Sequence, residues 1–442
     1  MLAAQNPIEV RNELLERLAD ARLRTDELFD LVRPEFLYER PIPERHRIIF
    51  YIGHLEAFDW NLLRERLLAV EAFDAKLDRL FAFGIDPFAG ELPSDQPADW
   101  PPLDKVLGYK RQVRDSLDAG LQKLLSSGTH EQEQTATLLL QVAIEHRLMH
   151  AETFTYMLHQ MPLQFKKQLQ QTASSPVAAV APQMVAIPEG SATLGLSRAE
   201  DAFGWDNEFE AHMVEVPAFA IDKYKVTNGQ FLEFMAAGGY ENRELWTDAG
   251  WKWKTEKNIS FPSFWRRIDD HWFFRTMFEN VPLRVDWPVY VSHAEASAYA
   301  RWAGKALPNE AQWHRAAYGT PQGTERHYPW GSNAPTAEFG NFDFQRWDPV
   351  SVAAFPKGES AFAVADLVGN GWEWTSTVFG PFAGFERFPF YPGYSADFFD
   401  GKHYVLKGGS ARTAACMLRR SFRNWFQAHY PYIYTGFRCV SN

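Results

Sequence analysis

Cysteine is nearly absent: Cys416 and Cys439 are the only two in 442 residues, too few for a disulfide framework or a cysteine-rich zinc site. Long apolar runs are missing too. The longest mostly apolar stretch, Val177 to Ile187, is short and broken by Pro182, so no membrane span is expected. The N-terminus carries acidic residues where a secretory leader has a basic start and an apolar core, so no signal peptide is read. Positive charge is in deficit, with 45 Lys and Arg against 56 Asp and Glu and a net charge of −11. That balance disfavours work on phosphate backbones, and no nucleic-acid partner is expected. A content of 46% apolar and 23% charged residues is that of a folded chain, long enough for two to four domains. These features together predict a cytoplasmic, multi-domain protein. Phe, Tyr and Trp reach 15% and concentrate after residue 200, where flat side chains can line a pocket as well as fill a core.

The chain has two halves with different patterning. Residues 8–165 read as helices. Ile8 to Val32 repeats apolar residues at three-to-four spacing and stops at Pro34. A second helix begins after Pro43 and runs through Ile48, Ile52, Leu55, Phe58 and Leu63. Prolines 87, 93, 97, 101 and 102 mark a long loop, followed by helices over Leu103–Leu125 and Gln132–Leu158. Four amphipathic helices with one long connection predict a four-helix bundle over 1–168. Residues 169–183, small, proline-punctuated and nearly uncharged, read as a linker. From 184 to 442, short apolar runs alternate with Gly, Pro and Asn clusters, which predicts an α+β domain with much irregular structure. Helical periods there are confined to Asn228–Met235, Ser292–Ala303 and Asn309–Tyr318, and no internal repeat is evident.

The fourth bundle helix carries His146, His150 and Glu152. Histidines at i and i+4 share one helix face, so both imidazoles can reach one ion. The second helix adds His54, and facing helices of a bundle commonly supply ligands to a shared metal. Three neutral nitrogens without a thiolate suit iron, zinc, copper or nickel about equally. Glu152 lies two residues past His150, roughly 200° round the helix, which fits a residue that orients a ligand imidazole better than a direct ligand.

Beyond residue 184 stands an ordered set of strings: Pro188-Glu189-Gly190, Tyr224-Lys225-Val226-Thr227-Asn228, Leu307-Pro308-Asn309-Glu310, Tyr328-Pro329-Trp330-Gly331, Gly369-Asn370-Gly371-Trp372-Glu373-Trp374, Lys407-Gly408-Gly409-Ser410 and Gly436-Phe437-Arg438. Singly these strings read as packing. As a series they resemble the formylglycine-generating-enzyme fold, a C-type-lectin-like domain. Those enzymes bind copper through two cysteines just after the Gly-Gly-Ser string, where this chain has Thr413 and Leu418, so that activity is not expected. Joined to a DinB-like bundle bearing His and His-x3-His-x-Glu, the domain resembles the ergothioneine-synthase family of iron-dependent sulfoxide synthases, including its selenoneine-synthase branch.

That resemblance implies Fe(II) held by His54, His146 and His150, and coupling of a sulfur or selenium donor to imidazole C2 of hercynine with O2. It places the active site between bundle and lectin-like domain. Ser421-Phe422-Arg423-Asn424-Trp425-Phe426 matches the family's hercynine-holding stretch. A trimethylammonium group donates no hydrogen bonds and is recognised by aromatic faces, a task that suits Trp425 and Phe426, while Asn424 can bond a carboxylate or imidazole. Tyr391 and Tyr394 resemble the family's tyrosine pair near the iron, where a phenol serves as general acid.

The donor site departs from the pattern. Phe426 and Tyr430 stand where mycobacterial-type enzymes read γ-glutamylcysteine with an Asp and an Arg, which argues against that donor. Met149 replaces the common Gln before the last ligand, and Phe83-Gly84-Ile85-Asp86 stands where cysteine-using relatives carry a Tyr pair. Arg79 remains as a partner for a donor's carboxylate or phosphate. A changed donor site with the hercynine motif kept leans toward a selenosugar donor. Cysteine is the alternative donor, and a non-catalytic metal- or ligand-binding module is the alternative of another class.

Overall fold

The computed structural model describes residues 7–82, 84, 92–127, 129–169, 179–200 and 202–441. They form two compact units, Met1–Gln170 and Gln171–Asn442. Most of the expected linker (170–178) and three residues of the expected donor loop (Phe83, Ile85 and Asp86) lie outside the described residues.

Four long helices build the first unit: α1 (Pro7–Asp30), α2 (Ile48–Leu63), α4 (Leu103–Ser127) and α5 (His130–Gln160), with a one-turn α3 (Ala75–Leu80) between α2 and α4. α1 packs on α5, and α2 packs on both α4 and α5, so α2 is enclosed. Its sequence accounts for this, since Ile48, Ile49, Phe50, Ile52, Leu55, Trp60 and Leu63 cover its surface with apolar side chains and are buried. α5 starts two residues before its apolar period does. Thr129 caps it by accepting the Gln132 N–H, and the Gln132 side chain returns the bond to the Thr129 N–H.

The second unit has short strands in small sheets. β1 (Met184–Ile187), β4 (Phe219–Asp222) and β12 (Val440–Ser441) form one in the order β1-β4-β12. β2 (Gly190–Leu194) pairs with β3 (His212–Val216), and β5 (Trp265–Ile268), β6 (His271–Arg275) and β7 (Asn280–Pro282) form a meander. A four-stranded sheet follows, in the order β10-β9-β8-β11, from β8 (Trp372–Val378), β9 (His403–Lys407), β10 (Asn424–Gln427) and β11 (Thr435–Gly436). α6 (Asn228–Ala236), α8 (His293–Trp302) and α9 (Glu310–Tyr318) fall on the expected helical periods. A fourth helix, α7 (Asp248–Glu256), has no such period, because Trp251, Lys252, Trp253 and Lys254 interrupt it; the Thr247 cap marks its start instead.

The core lies where α9 crosses β1–β4. Trp313, Ala316 and Ala317 pack there on Ile187, Ala192, Leu194, Phe219 and Ile221. Inside it, the Arg438 guanidinium donates to both oxygens of Glu373 at 2.6 and 2.8 Å, and Trp313 Nε1 donates to the same carboxylate. Burial would raise Glu373, yet Arg438 and Lys225 outweigh it and hold the carboxyl below its usual range.

Candidate metal centre

His54 points from α2 toward α5, and His146 and His150 rise from one face of α5 to meet it. The Nε2 atoms of His54 and His150 are 3.3 Å apart, and those of His150 and His146 are 3.1 Å apart. All three imidazoles are buried, and among the described residues they form the one convergent group of metal-ligand side chains.

Local packing fixes each ring. Phe50 stacks on His54 at 4.9 Å and Phe58 on His146 at 3.4 Å. The His54 Nδ1–H donates to the Phe81 carbonyl at 2.8 Å, which sets the tautomer and leaves the Nε2 lone pair facing the other rings. Gly53 makes this approach possible, because a Cβ there would stand 2.5 Å from three atoms of the Phe81 ring. Burial pushes His54 down to about 4 and both His146 and His150 well below the usual histidine range, so all three imidazoles are neutral at neutral pH, as coordination requires.

The donor set fits a metal ion. Three nitrogens bound at about 2.1 Å with angles between octahedral and tetrahedral lie about 3.0–3.4 Å apart, which brackets the spacings found. Without an ion, such nitrogens are held together in a dry core only by N–H···N contacts at 3.1 and 3.3 Å, and a shared cation satisfies all three lone pairs at once. Glu152 is buried on α5 but is not one of the convergent group. Arg79, in the last turn of α3, is exposed and borders an open pocket of about 430 Å³ with Lys76, Leu80, Trp100 and Lys105.

The residues of the expected hercynine motif form β10, the edge strand of its sheet, with Asn424 opposite Leu406 and Trp425 opposite Val405. Successive strand residues point to opposite faces. The two aromatic side chains expected to share one cage are accordingly separated. Trp425 stacks on Phe379 at 4.3 Å and meets the edge of Tyr394 at 5.4 Å, whereas Phe426 stacks on Tyr430 at 5.3 Å. Asn424 shares the face of Phe426. Its Oδ1 accepts the Trp425 N–H at 2.8 Å, which leaves the amide NH2 group as the donor end of the side chain.

Tyr391 and Tyr394 lie together, 5.6 Å between ring centres, with Tyr394 stacked on Trp205 at 4.1 Å. Phe426 and Tyr430, where a charge pair is expected in mycobacterial-type enzymes, form a ring pair. Thr413 and Leu418, at the copper-cysteine places of formylglycine-generating enzymes, are buried: the Thr413 hydroxyl accepts the Ser410 N–H, and Leu418 packs with Phe339, Phe342 and Val368.

Sequence reasoning missed the anchors of β10. The buried Glu208 carboxylate accepts the Trp205 N–H at 2.8 Å, the Ser421 hydroxyl at 2.7 Å and the Arg419 Nε at 2.8 Å. Arg423 donates to Glu310 at 3.0 Å and lies 4.0 Å over the Phe382 ring. Their signal was a pair of carboxylates set among aromatic residues, Trp205-Asp206-Asn207-Glu208 and Asn309-Glu310, where an unpaired charge would be costly.

Residues 170–442 match the sulfatase-modifying factor enzyme 1-like domain, and residues 17–154 match the DinB superfamily. The chain is 34% identical over 442 aligned positions to the hercynine oxygenase of Mycolicibacterium thermoresistibile, covering 97% of this chain and 94% of that one. It is 40% identical over 248 residues to the hercynine oxygenase of Mycobacterium tuberculosis, covering 55% of this chain and 57% of that one. It is 28% identical over 508 positions to ergothioneine biosynthesis protein 1 of Neurospora crassa, covering 92% of this chain and 55% of that longer protein.

Proposed function

The chain belongs to the ergothioneine-synthase family, enzymes that join a DinB-type bundle to a sulfatase-modifying-factor domain, and we propose that it couples a sulfur or selenium donor oxidatively to C2 of the imidazole of hercynine. The observation that carries this reading is the convergence of three neutral Nε2 atoms in the bundle, 3.1 and 3.3 Å apart. Three imidazoles leave open positions on an ion, and Fe(II) held there by His54, His146 and His150 would supply coordination sites for O2 and the donor and a one-electron relay from the substrates to O2.

Overall, the donor's S–H or Se–H bond and the imidazole C2–H bond are lost and a carbon–chalcogen bond forms. Dioxygen accepts four electrons, with one oxygen leaving as water and the other remaining on the chalcogen. The protein's own part is positioning. The Asn424 amide donates to the carboxylate or imidazole of hercynine, and the Phe426 ring on the same face of β10 attracts its trimethylammonium group, while Trp425, on the opposite face and stacked on Phe379, supports the strand. Tyr391 or Tyr394 delivers a proton as general acid, and, where the donor carries a carboxylate or phosphate, Arg79 pairs with it. Glu152 orients a ligand imidazole or ties down a neighbouring helix.

We assign the donor as a selenosugar, with cysteine as the second reading. Phe426 stacked on Tyr430 offers an uncharged aromatic surface, which suits the CH-rich face of a sugar and gives nothing to the charged ends of γ-glutamylcysteine. The test is mass spectrometry of products from hercynine under air and Fe(II), with cysteine, γ-glutamylcysteine and a selenosugar supplied in parallel. A product bearing the selenium isotope pattern is expected. A product from cysteine alone would replace the selenium reading, and binding of hercynine with no oxygen uptake for any donor would replace catalysis with a binding role. His150→Ala should abolish stoichiometric iron and turnover together; full activity without metal would end the reading.

A further inference from the structure

Beside the three imidazoles lies a charge cluster whose centre, Arg147 with Glu56 and Asp59, is buried and whose outer members reach partly to solvent. Arg147 follows His146 directly on α5 and has no exposed surface. Its Nη1 and Nη2 donate to the two oxygens of Glu56, each at 3.1 Å, and its Nη2 also donates to Asp59 Oδ2 at 2.6 Å and to the Leu55 carbonyl at 3.0 Å. All three acceptor residues are on α2, and Glu56 stands two residues beyond His54. From α4, Arg114 donates to Glu56 at 2.7 Å and to Asp26 of α1 at 2.7 Å, and Lys110 donates to Asp26 at 2.6 Å. Three cations therefore face three carboxylates, and all four long helices meet there.

Such a cluster is a poor way to stabilise a core, because desolvation offsets most of its attraction and well-packed apolar residues often do as well. What charge pairing does supply is register. An apolar seam between two helices tolerates sliding and rotation, whereas the planar guanidinium fork accepts one arrangement of two carboxylates. The register fixed here is that of α2 against α5, the two helices that bring His54 to His146 and His150.

We propose that Arg147 is a positioning residue of the metal centre, which by gripping Glu56 and Asp59 across the α2–α5 seam holds the three Nε2 atoms in coordinating geometry. The inference rests on the three-histidine metal reading. Arg147→Lys keeps the charge but loses the fork, and the triple variant Glu56→Leu, Asp59→Leu, Arg147→Met replaces the whole grip by apolar packing. Both are titrated with Co(II), whose visible absorption reports ligand number and geometry, and both are unfolded metal-free in guanidinium.

The expected result is at least a tenfold loss of Co(II) affinity with an altered absorption band in Arg147→Lys, and the same loss in the triple variant even though its unfolding midpoint is equal to or above that of the parent. Parental affinity and spectrum in folded Arg147→Lys would overturn the inference, whatever the triple variant does. A parent protein that takes up no stoichiometric metal would instead overturn the metal reading itself.

Discussion

Gly53→Ala adds one methyl group to α2, next to a proposed metal ligand. The new Cβ would lie 2.5 Å from Cδ1, Cδ2 and Cε1 of Phe81. Non-bonded carbons pack at about 3.5–4.0 Å, so the ring must withdraw by about 1 Å. Phe81 has little room to do so, being fully buried among the rings of Phe50, Trp100 and Tyr109. Overpacking of this kind costs about 1–3 kcal/mol, partly offset by the roughly 1 kcal/mol that alanine gains over glycine inside a helix. The net loss of stability is therefore about 0–2 kcal/mol, small enough to leave a folded protein.

Metal binding should suffer more. The Phe81 carbonyl accepts the His54 Nδ1–H at 2.8 Å, and it must move with its ring. Loss of an outer hydrogen bond to a ligating histidine lowers metal affinity about 10–100-fold. Competition titration with a chromophoric chelator measures that affinity, and guanidinium unfolding of the metal-free protein measures stability. Unchanged affinity in a folded Gly53→Ala protein would refute the claim that Phe81 orients His54.

Other consequences follow from the same geometry. Because Phe426 shares a strand face with Asn424, Phe426→Leu should raise KM for hercynine about 2–30-fold, the equivalent of about 0.5–2 kcal/mol of cation–π attraction, and Trp425→Leu should act mainly on stability; steady-state kinetics of both variants decide this. Glu208→Gln weakens the charged anchor of the segment leading into β10, and breaking a buried pair of this kind costs about 3–5 kcal/mol, read as a drop in the unfolding midpoint. Burial pushes His293 from 6.5 down to about 3, so the unfolded chain takes up the proton first. Its contribution is therefore complete above pH 6.5 and is lost as pH falls through 6.5 toward 3, by about 1.4 kcal/mol per unit and roughly 5 kcal/mol in all. Guanidinium unfolding from pH 7 to pH 4 should show a flatter decline for His293→Gln, and parallel curves would refute the assignment.

The bundle was legible because its helices bury apolar stripes at a regular period, and prolines and caps punctuate them. The three histidines were legible for a related reason, since i and i+4 on one helix must share a face. The enclosed position of α2 was harder to read, because an all-round apolar surface carries no direction. Arg147, Glu56 and Asp59 went unread because a charge on an apolar face declares its partner only when the facing helix is placed. On β10, the motif Asn424-Trp425-Phe426 was visible as a string, but the strand alternation that parts its two rings depends on pairing with β9, a contact distant in sequence. Helix α7 was missed because its interior alternates tryptophan with lysine, and only its threonine cap marks it.

The central claim is that His54, His146 and His150 hold one catalytic iron, and its most direct test is an anomalous-difference map at the iron edge from crystals grown with Fe(II) without oxygen. A single peak about 2.0–2.3 Å from all three Nε2 atoms is expected. A peak held by other side chains, or none at this position in crystals of protein that turns over when redissolved in air, would contradict it.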